Sequence, residues 1–215
     1  MSRYDTKFYD TIREGTIRSA EILVPLLIDA LHLELGDTVL DVGCGEGWWA
    51  QTFTDHGIDG FGVDGDYVNS SPLGDRFRRA DLTKPLTAPA HSVALSLEVA
   101  EHLPLSRASS FVSDLCEIAP LVVFSAAVPG QGGTGHINEQ WPKYWADHFT
   151  GQGYIVSGAF RFDIWDIDGI ENWYRQNLLI CAAPDRAEEF PDLFDTPLSR
   201  PVALVHPVLY DARRR

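Results

Sequence analysis

Two stretches of this 215-residue chain combine residue types that could do chemistry. Glu98-x-x-Glu101-His102 sets two carboxylates and an imidazole at a spacing that would share one helix face. Such a set can move a proton, or hold a divalent ion through hard oxygen and imidazole donors and polarise a hydroxyl. His136, in Gly135-His136-Ile137-Asn138-Glu139-Gln140, is a second imidazole and a second base candidate. The blander alternatives are packing for His102 and loop anchoring for His136. A third stretch, Asp41-Val42-Gly43-Cys44-Gly45-Glu46-Gly47, offers glycines that allow positive φ and close ligand approach, followed by free N–H groups at a helix start.

These stretches need elements to position them. Val39, Leu40 and Val42 read as a buried parallel strand, and a helix should follow Gly47 to about His56-Gly57. Ile58 to Asp64 reads as strand two, a short strand near Arg76–Arg79 as three, His91 to Leu97 as four and Leu121 to Val128 as five. The span between strands two and three is too short for a full crossover helix. A helix is expected from Ser106 to Ile118. Trp141, Tyr144, Trp145, His148 and Phe149 fall on one face of another. Tyr154–Phe162 and Tyr174–Ala183 read as two closing strands. Before strand one, Ser19 to Leu35 has helical spacing with Ser19 as a possible N-cap, and Pro25 either bends that helix or starts it. Aromatic residues Tyr4, Phe8 and Tyr9 lie in a short preceding helix or cap. The Gly-rich segment Pro129 to Gln140 is a long loop whose one charged residue is Glu139.

The glycine turn excludes two relatives of its kind. Trp48 stands where a dinucleotide fingerprint needs another glycine, and no Lys-Ser or Lys-Thr completes a P-loop. What remains, Asp-x-Gly-x-Gly-x-Gly, resembles the first motif of class I S-adenosylmethionine-dependent methyltransferases. Asp64 at the end of strand two, Asp81-Leu82 after strand three and Glu98 after strand four follow in that family's order, over roughly residues 37–183. The resemblance implies a Rossmann-like α/β fold: a mostly parallel seven-stranded sheet, helices on both faces and an antiparallel last strand. It implies S-adenosylmethionine as cofactor, with Asp41, Gly43, Cys44, Gly45 and Gly47 at the methionine part, Asp64 at the ribose hydroxyls, and Asp81 with Leu82 at the adenine. The Glu-x-x-Glu-His pattern is similar to a metal site of ubiquinone-pathway O-methyltransferases, which would make Glu98, Glu101 and His102 the ligands. Many relatives carry similar residues without a metal, with Glu98 supporting the cofactor and His102 acting as base.

Composition narrows the partners. A net charge of −14 argues against nucleic acid and anionic membranes, which are reached through basic surfaces. No run approaches 18 apolar residues and no leader opens the chain, so the expected compartment is the cytoplasm. Three scattered cysteines suggest neither a disulfide framework nor a zinc cluster. The expected organisation is a helical cap over 1–36, the methyltransferase domain over 37–183 and an extended tail over 184–215. The expected activity is methylation of a small hydroxylated metabolite or sugar at oxygen. An NAD(P)-dependent oxidoreductase or epimerase and a non-catalytic nucleoside-binding module are the alternatives. Arg161 and Arg175 are candidates to meet an anionic substrate group. The oligomeric state has no signal in the sequence.

Overall fold

The computed structural model describes residues 6–196, 199–200 and 202–213, with side chains described from residue 13 onward. Seven strands form one sheet: β1 (Thr38–Val42), β2 (Asp59–Asp64), β3 (Phe77–Arg79), β4 (Val93–Leu97), β5 (Leu121–Ser125), β6 (Ile155–Ser157) and β7 (Leu179–Ala182). Their spatial order is β3-β2-β1-β4-β5-β7-β6. All pairings are parallel except those of β7, which runs antiparallel to both β5 and β6. Every residue of β4 and β5 is buried, which is why these strands read as largely apolar runs without alternation.

Helices cover both faces. On one, Leu23, Val24 and Leu27 of α1 (Thr6–Ala30) and Phe53 of α2 (Trp48–Asp55) pack on Val39, Val93 and Leu121. On the other, Phe111 and Leu115 of α3 (Ala108–Ile118) and Trp145 and Phe149 of α4 (Pro142–Gly151) pack on Leu40, Ala94 and Val122. The strand order reverses between β1 and β4. Their carboxyl ends therefore open a crevice, where ligands of open α/β sheets bind.

Several local expectations are corrected. The first helix is continuous through Pro25, and Ser19 is not its cap: the Ser19 hydroxyl donates to the Gly15 carbonyl at 2.7 Å and accepts from the Glu171 amide. Tyr4 and the side chains of Phe8 and Tyr9 lie outside the described residues. The stretch read as a strand over 154–162 keeps only three residues of β6, then turns into α5 (Phe160–Ile164). Phe160 and Ile164 are one helical turn apart and both reach the core, a period that a short apolar run does not distinguish from a strand. Likewise the first residues of the stretch 174–183 belong to α6 (Asn172–Asn177). The C-terminal region is not extended throughout. It carries α7 (Pro184–Ala187), α8 (Pro191–Phe194) and α9 (Pro207–Arg213), each opened by proline, which is well suited to a first helical turn. Among the described residues no helix is long and apolar enough to cross a membrane.

Candidate active site

A cavity of about 1090 Å³ occupies the crevice at the carboxyl ends of β1, β2 and β4. That exceeds the usual range for one small ligand, roughly 300–1,000 Å³, and leaves room for a cofactor beside an acceptor. Its first half is built by the glycine turn. Gly43 (φ 85°) and Gly47 (φ 95°) hold left-handed backbone. A Cβ on Gly43 would run into Val99, and one on Gly47 into Leu73, so both positions demand glycine on two grounds. The turn is fastened to the next strand: the Gly43 amide donates to the Val63 carbonyl at 2.8 Å, and the Gly45 amide to Asp64 Oδ2 at 2.6 Å.

Asp64 also accepts from the Gly65 amide at 2.6 Å and from the Tyr67 hydroxyl. Burial raises its pKa, and the hydrogen bonds from Tyr67, Gly65 and Gly45 offset part of that rise. Asp41 stands behind the turn, fully buried, with Oδ2 lacking a hydrogen-bond partner. Burial and then the charge of Asp64 push its pKa well up. Asp41 and Gly47 shape the turn but do not line the cavity, whereas Gly43, Cys44, Gly45, Asp64, Asp81 and Leu82 do. The Cys44 thiol is raised by burial and by both acids, so it stays protonated and unreactive. Asp81 is exposed and accepts from Thr83 and Lys84. The segment behind it is anchored by the buried Arg107–Asp114 pair: Arg107 donates to the carbonyls of Leu82 and Lys84, and the Leu86 amide donates to Asp114.

The far wall comes from the ends of β4 and β5. Glu98 takes a left-handed φ of 56°, which for a non-glycine residue stores about 1–3 kcal/mol of strain. Its carboxylate accepts from Gln131 Nε2 at 2.6 Å and Asn177 Nδ2 at 3.0 Å. Burial raises its pKa against those hydrogen bonds. Beyond it a single 3-10 turn, Ala100–His102, replaces the helical face expected for this motif. Glu98 therefore faces its amide partners, and Glu101 and His102 meet His136 instead. The His102 and His136 rings are edge to face with centroids 4.9 Å apart. Glu101 Oε1 lies 3.9 Å from His136 Nε2.

Glu101 is wholly buried, and neither oxygen has a hydrogen bond of good geometry. Burial, with the charge of Glu98, drives its pKa well up, although the amides of Glu101 and Ala127 lie close enough to counter a little of this. Burial and His136 lower His102 to about 4, against a hydrogen bond to the Gly135 backbone, so His102 is neutral at pH 7. Glu101, His102 and His136 each offer one ligand atom, all within 4.8 Å of one another. That trio, rather than Glu98, Glu101 and His102, is the donor set a divalent ion could bridge.

The loop over 129–140 is tied down by the Glu101 carbonyl, which accepts from the amides of Ile137 and Asn138 at 2.9 and 3.0 Å. Arg161 and Arg175 do not reach the cavity. Arg161 is fully buried and donates to the carbonyls of Gly158, Gln176 and Val202, and Arg175 donates to those of Trp165 and Ile167. Of the tryptophan pair, Trp49 is in the core, while half-buried Trp48 donates to Glu46 at 2.9 Å on the cavity wall. Sequence reasoning missed the amides Gln131 and Asn177, Tyr67 beside Asp64, and helix α9, whose Val208, Leu209 and Arg213 line the cavity. Isolated amides and a short C-terminal helix carry no spacing signal that could have revealed them.

A turn without side chains, an acid at the next strand end and a cavity lined by Asp64, Asp66 and Asp81 together with Arg13, Arg79 and Arg213 suit a nucleoside ligand carrying both cationic and anionic groups. The family model for the methyltransferase domain matches residues 16–157. The chain belongs to this family, within the class I S-adenosylmethionine-dependent type. An uncharacterised methyltransferase of Mycobacteroides abscessus is 33% identical over 110 residues, 46% of this chain and 41% of that protein. The chain thus matches about two fifths of the length of such curated relatives. Among solved structures, magnesium protoporphyrin IX methyltransferase from Synechocystis PCC 6803 with bound S-adenosylhomocysteine superposes with a TM-score of 0.58 at 17% identity, covering 80% of this chain and 85% of that one. An O-methyltransferase family protein from Burkholderia thailandensis gives 0.52 at 15% identity, covering 85% and 64%. At these identities the likeness is one of fold.

Proposed function

We propose that this methyltransferase transfers a methyl group to a hydroxyl of a small hydroxylated metabolite or sugar, with His136 as the base. The observation that carries the reading is the convergence of Glu101, His102 and His136 on the cavity wall opposite the glycine turn. S-adenosylmethionine, when bound, would supply an electrophilic sulfonium methyl, with the thioether sulfur as leaving group. Gly43, Gly45 and Asp64 would hold its amino-acid and ribose parts, and Asp81 with Leu82 its adenine. His136 Nε2 takes the hydroxyl proton, a task an alcohol nucleophile requires and a carboxylate does not. Orientation of acceptor and methyl contributes most of the remaining acceleration.

The charge of −14 supports a small acceptor over a nucleic acid, and three unpaired cysteines suit a reducing cytoplasm. Helices α1 and α9 belong to the same working unit as the sheet, since Arg13 and Leu209 both line the cavity. The test is incubation with trideuteromethyl S-adenosylmethionine and a panel of phenols, sugars and aliphatic alcohols, read by mass and by the methyl carbon shift. A methyl ether is expected; a methyl on nitrogen or carbon would overturn the oxygen assignment. Repeating the reaction with chelator separates base chemistry, which survives, from use of the Glu101–His102–His136 trio as a metal site, which does not.

A further inference from the structure

The 129–140 loop contains one formally charged residue, Glu139, and that carboxylate ties Gly130, Gly132 and His136 together. Its Oε2 accepts from the Gly130 amide at 2.7 Å. Its Oε1 accepts from the Gly132 amide at 2.7 Å and meets His136 Nδ1 at 2.8 Å. Gly130 and Gly132 both have positive φ, so the turn wraps around the carboxylate and presents its amides inward. His136 lines the cavity; its opposite ring nitrogen, Nε2, lies close over Gly133, and the Glu101 carboxylate is 3.9 Å from it, beyond hydrogen-bond reach.

We propose that Glu139 is a positioning residue that fixes His136 as the Nδ1–H tautomer and aims its Nε2 lone pair at the acceptor hydroxyl. An ionised carboxylate only accepts hydrogen bonds, so the imidazole nitrogen facing it must carry the hydrogen. The partner nitrogen of a neutral ring is then the acceptor. Both Glu139 oxygens accept from backbone amides, Gly130 on one and Gly132 on the other, so the carboxylate is held as an acceptor towards His136. His102 closes the other side: its ring sits edge-on to His136 and is itself held by the Gly135 backbone, which limits rotation of the His136 ring.

This inference rests on the reading of His136 as the base, and its test keeps the two apart. Long-range proton–nitrogen correlation spectra of the wild-type protein saturated with S-adenosylhomocysteine report the His136 tautomer directly and need no variant. A protonated Nδ1 and bare Nε2 are expected; a predominant Nε2–H form would overturn the proposal. In Glu139→Gln the amide can donate to Nδ1, so the tautomer should move toward Nε2–H. Turnover of the acceptor found in the panel should fall about 10- to 100-fold. The S-adenosylhomocysteine affinity should stay within twofold, and Glu139→Asp should recover part of the rate. A shifted tautomer with unchanged turnover, or an unshifted tautomer in Glu139→Gln, would sink the role of Glu139. If His136→Asn itself turns over normally, the base reading fails instead.

Discussion

The Gly45 amide donates to Asp64 Oδ2 at 2.6 Å, which joins the glycine turn after β1 to the end of β2. The two motifs are one unit, and Asp64 shapes the turn as well as facing the cavity. Asp64→Ala should weaken S-adenosylhomocysteine binding by at least tenfold, since hydrogen bonds to a charged group contribute roughly 1.5–3 kcal/mol each. Calorimetric titration checks it, with Asp81→Ala as the milder comparison because Asp81 is exposed.

Gly43 is the position where the chain tolerates least. Gly43→Ala would combine a left-handed φ with a clash against Val99. Loss of cofactor binding is expected together with a lower melting temperature. Val99→Ala in the same chain should recover part of the stability, because it removes the two clashing methyl groups and leaves the backbone strain with a close Cβ contact.

Glu101 should be a stability liability at neutral pH. Its folded pKa is raised by burial and by the Glu98 charge. The folded state thus binds the proton more tightly than the unfolded chain, and the associated stability, present at low pH, is lost as pH rises through the folded value. Glu101→Gln should therefore be more stable than wild type at pH 8, with the advantage gone by pH 4. Urea unfolding at the two pH values measures the difference, and an equal offset at both would contradict the assignment. The same variant should lose turnover, since this side chain stands on the wall beside His136.

The Arg107–Asp114 pair should matter for the adenine end without touching the ligand. Arg107 holds the carbonyls of Leu82 and Lys84, and Asp114 holds the Leu86 amide. Breaking a buried pair by removing one partner costs about 3–5 kcal/mol. Asp114→Ala is expected to lower the melting temperature substantially and to weaken S-adenosylhomocysteine binding. Thermal unfolding with and without the ligand checks both effects.

The central sheet was legible because β1, β4 and β5 are short, largely apolar runs, and β1, β2 and β4 end at residues of marked chemistry: Gly43, Asp64 and Glu98. The residues proposed to hold the cofactor sit at the same strand ends, on the wall of one cavity. The far wall was harder to read. Glu98, Glu101 and His102 have helical spacing, but the left-handed backbone at Glu98 sends its carboxylate to Gln131 and Asn177, and His136 takes its place beside Glu101 and His102. A single non-glycine residue with positive φ leaves no mark in the sequence. The region after β5 misled for another reason. Phe160 and Ile164 fit either period, and the prolines of the C-terminal region begin helices where they suggested extended chain.

The division of the cavity into a cofactor half and a proton-accepting wall is tested most directly by His136→Asn. Turnover of the acceptor with trideuteromethyl S-adenosylmethionine and calorimetric S-adenosylhomocysteine affinity should be measured on the same preparation. The account predicts turnover lowered about 10²–10⁴-fold, the usual contribution of a positioned base, with affinity within twofold of wild type. Unchanged turnover, or cofactor affinity lost in step with it, would contradict the account.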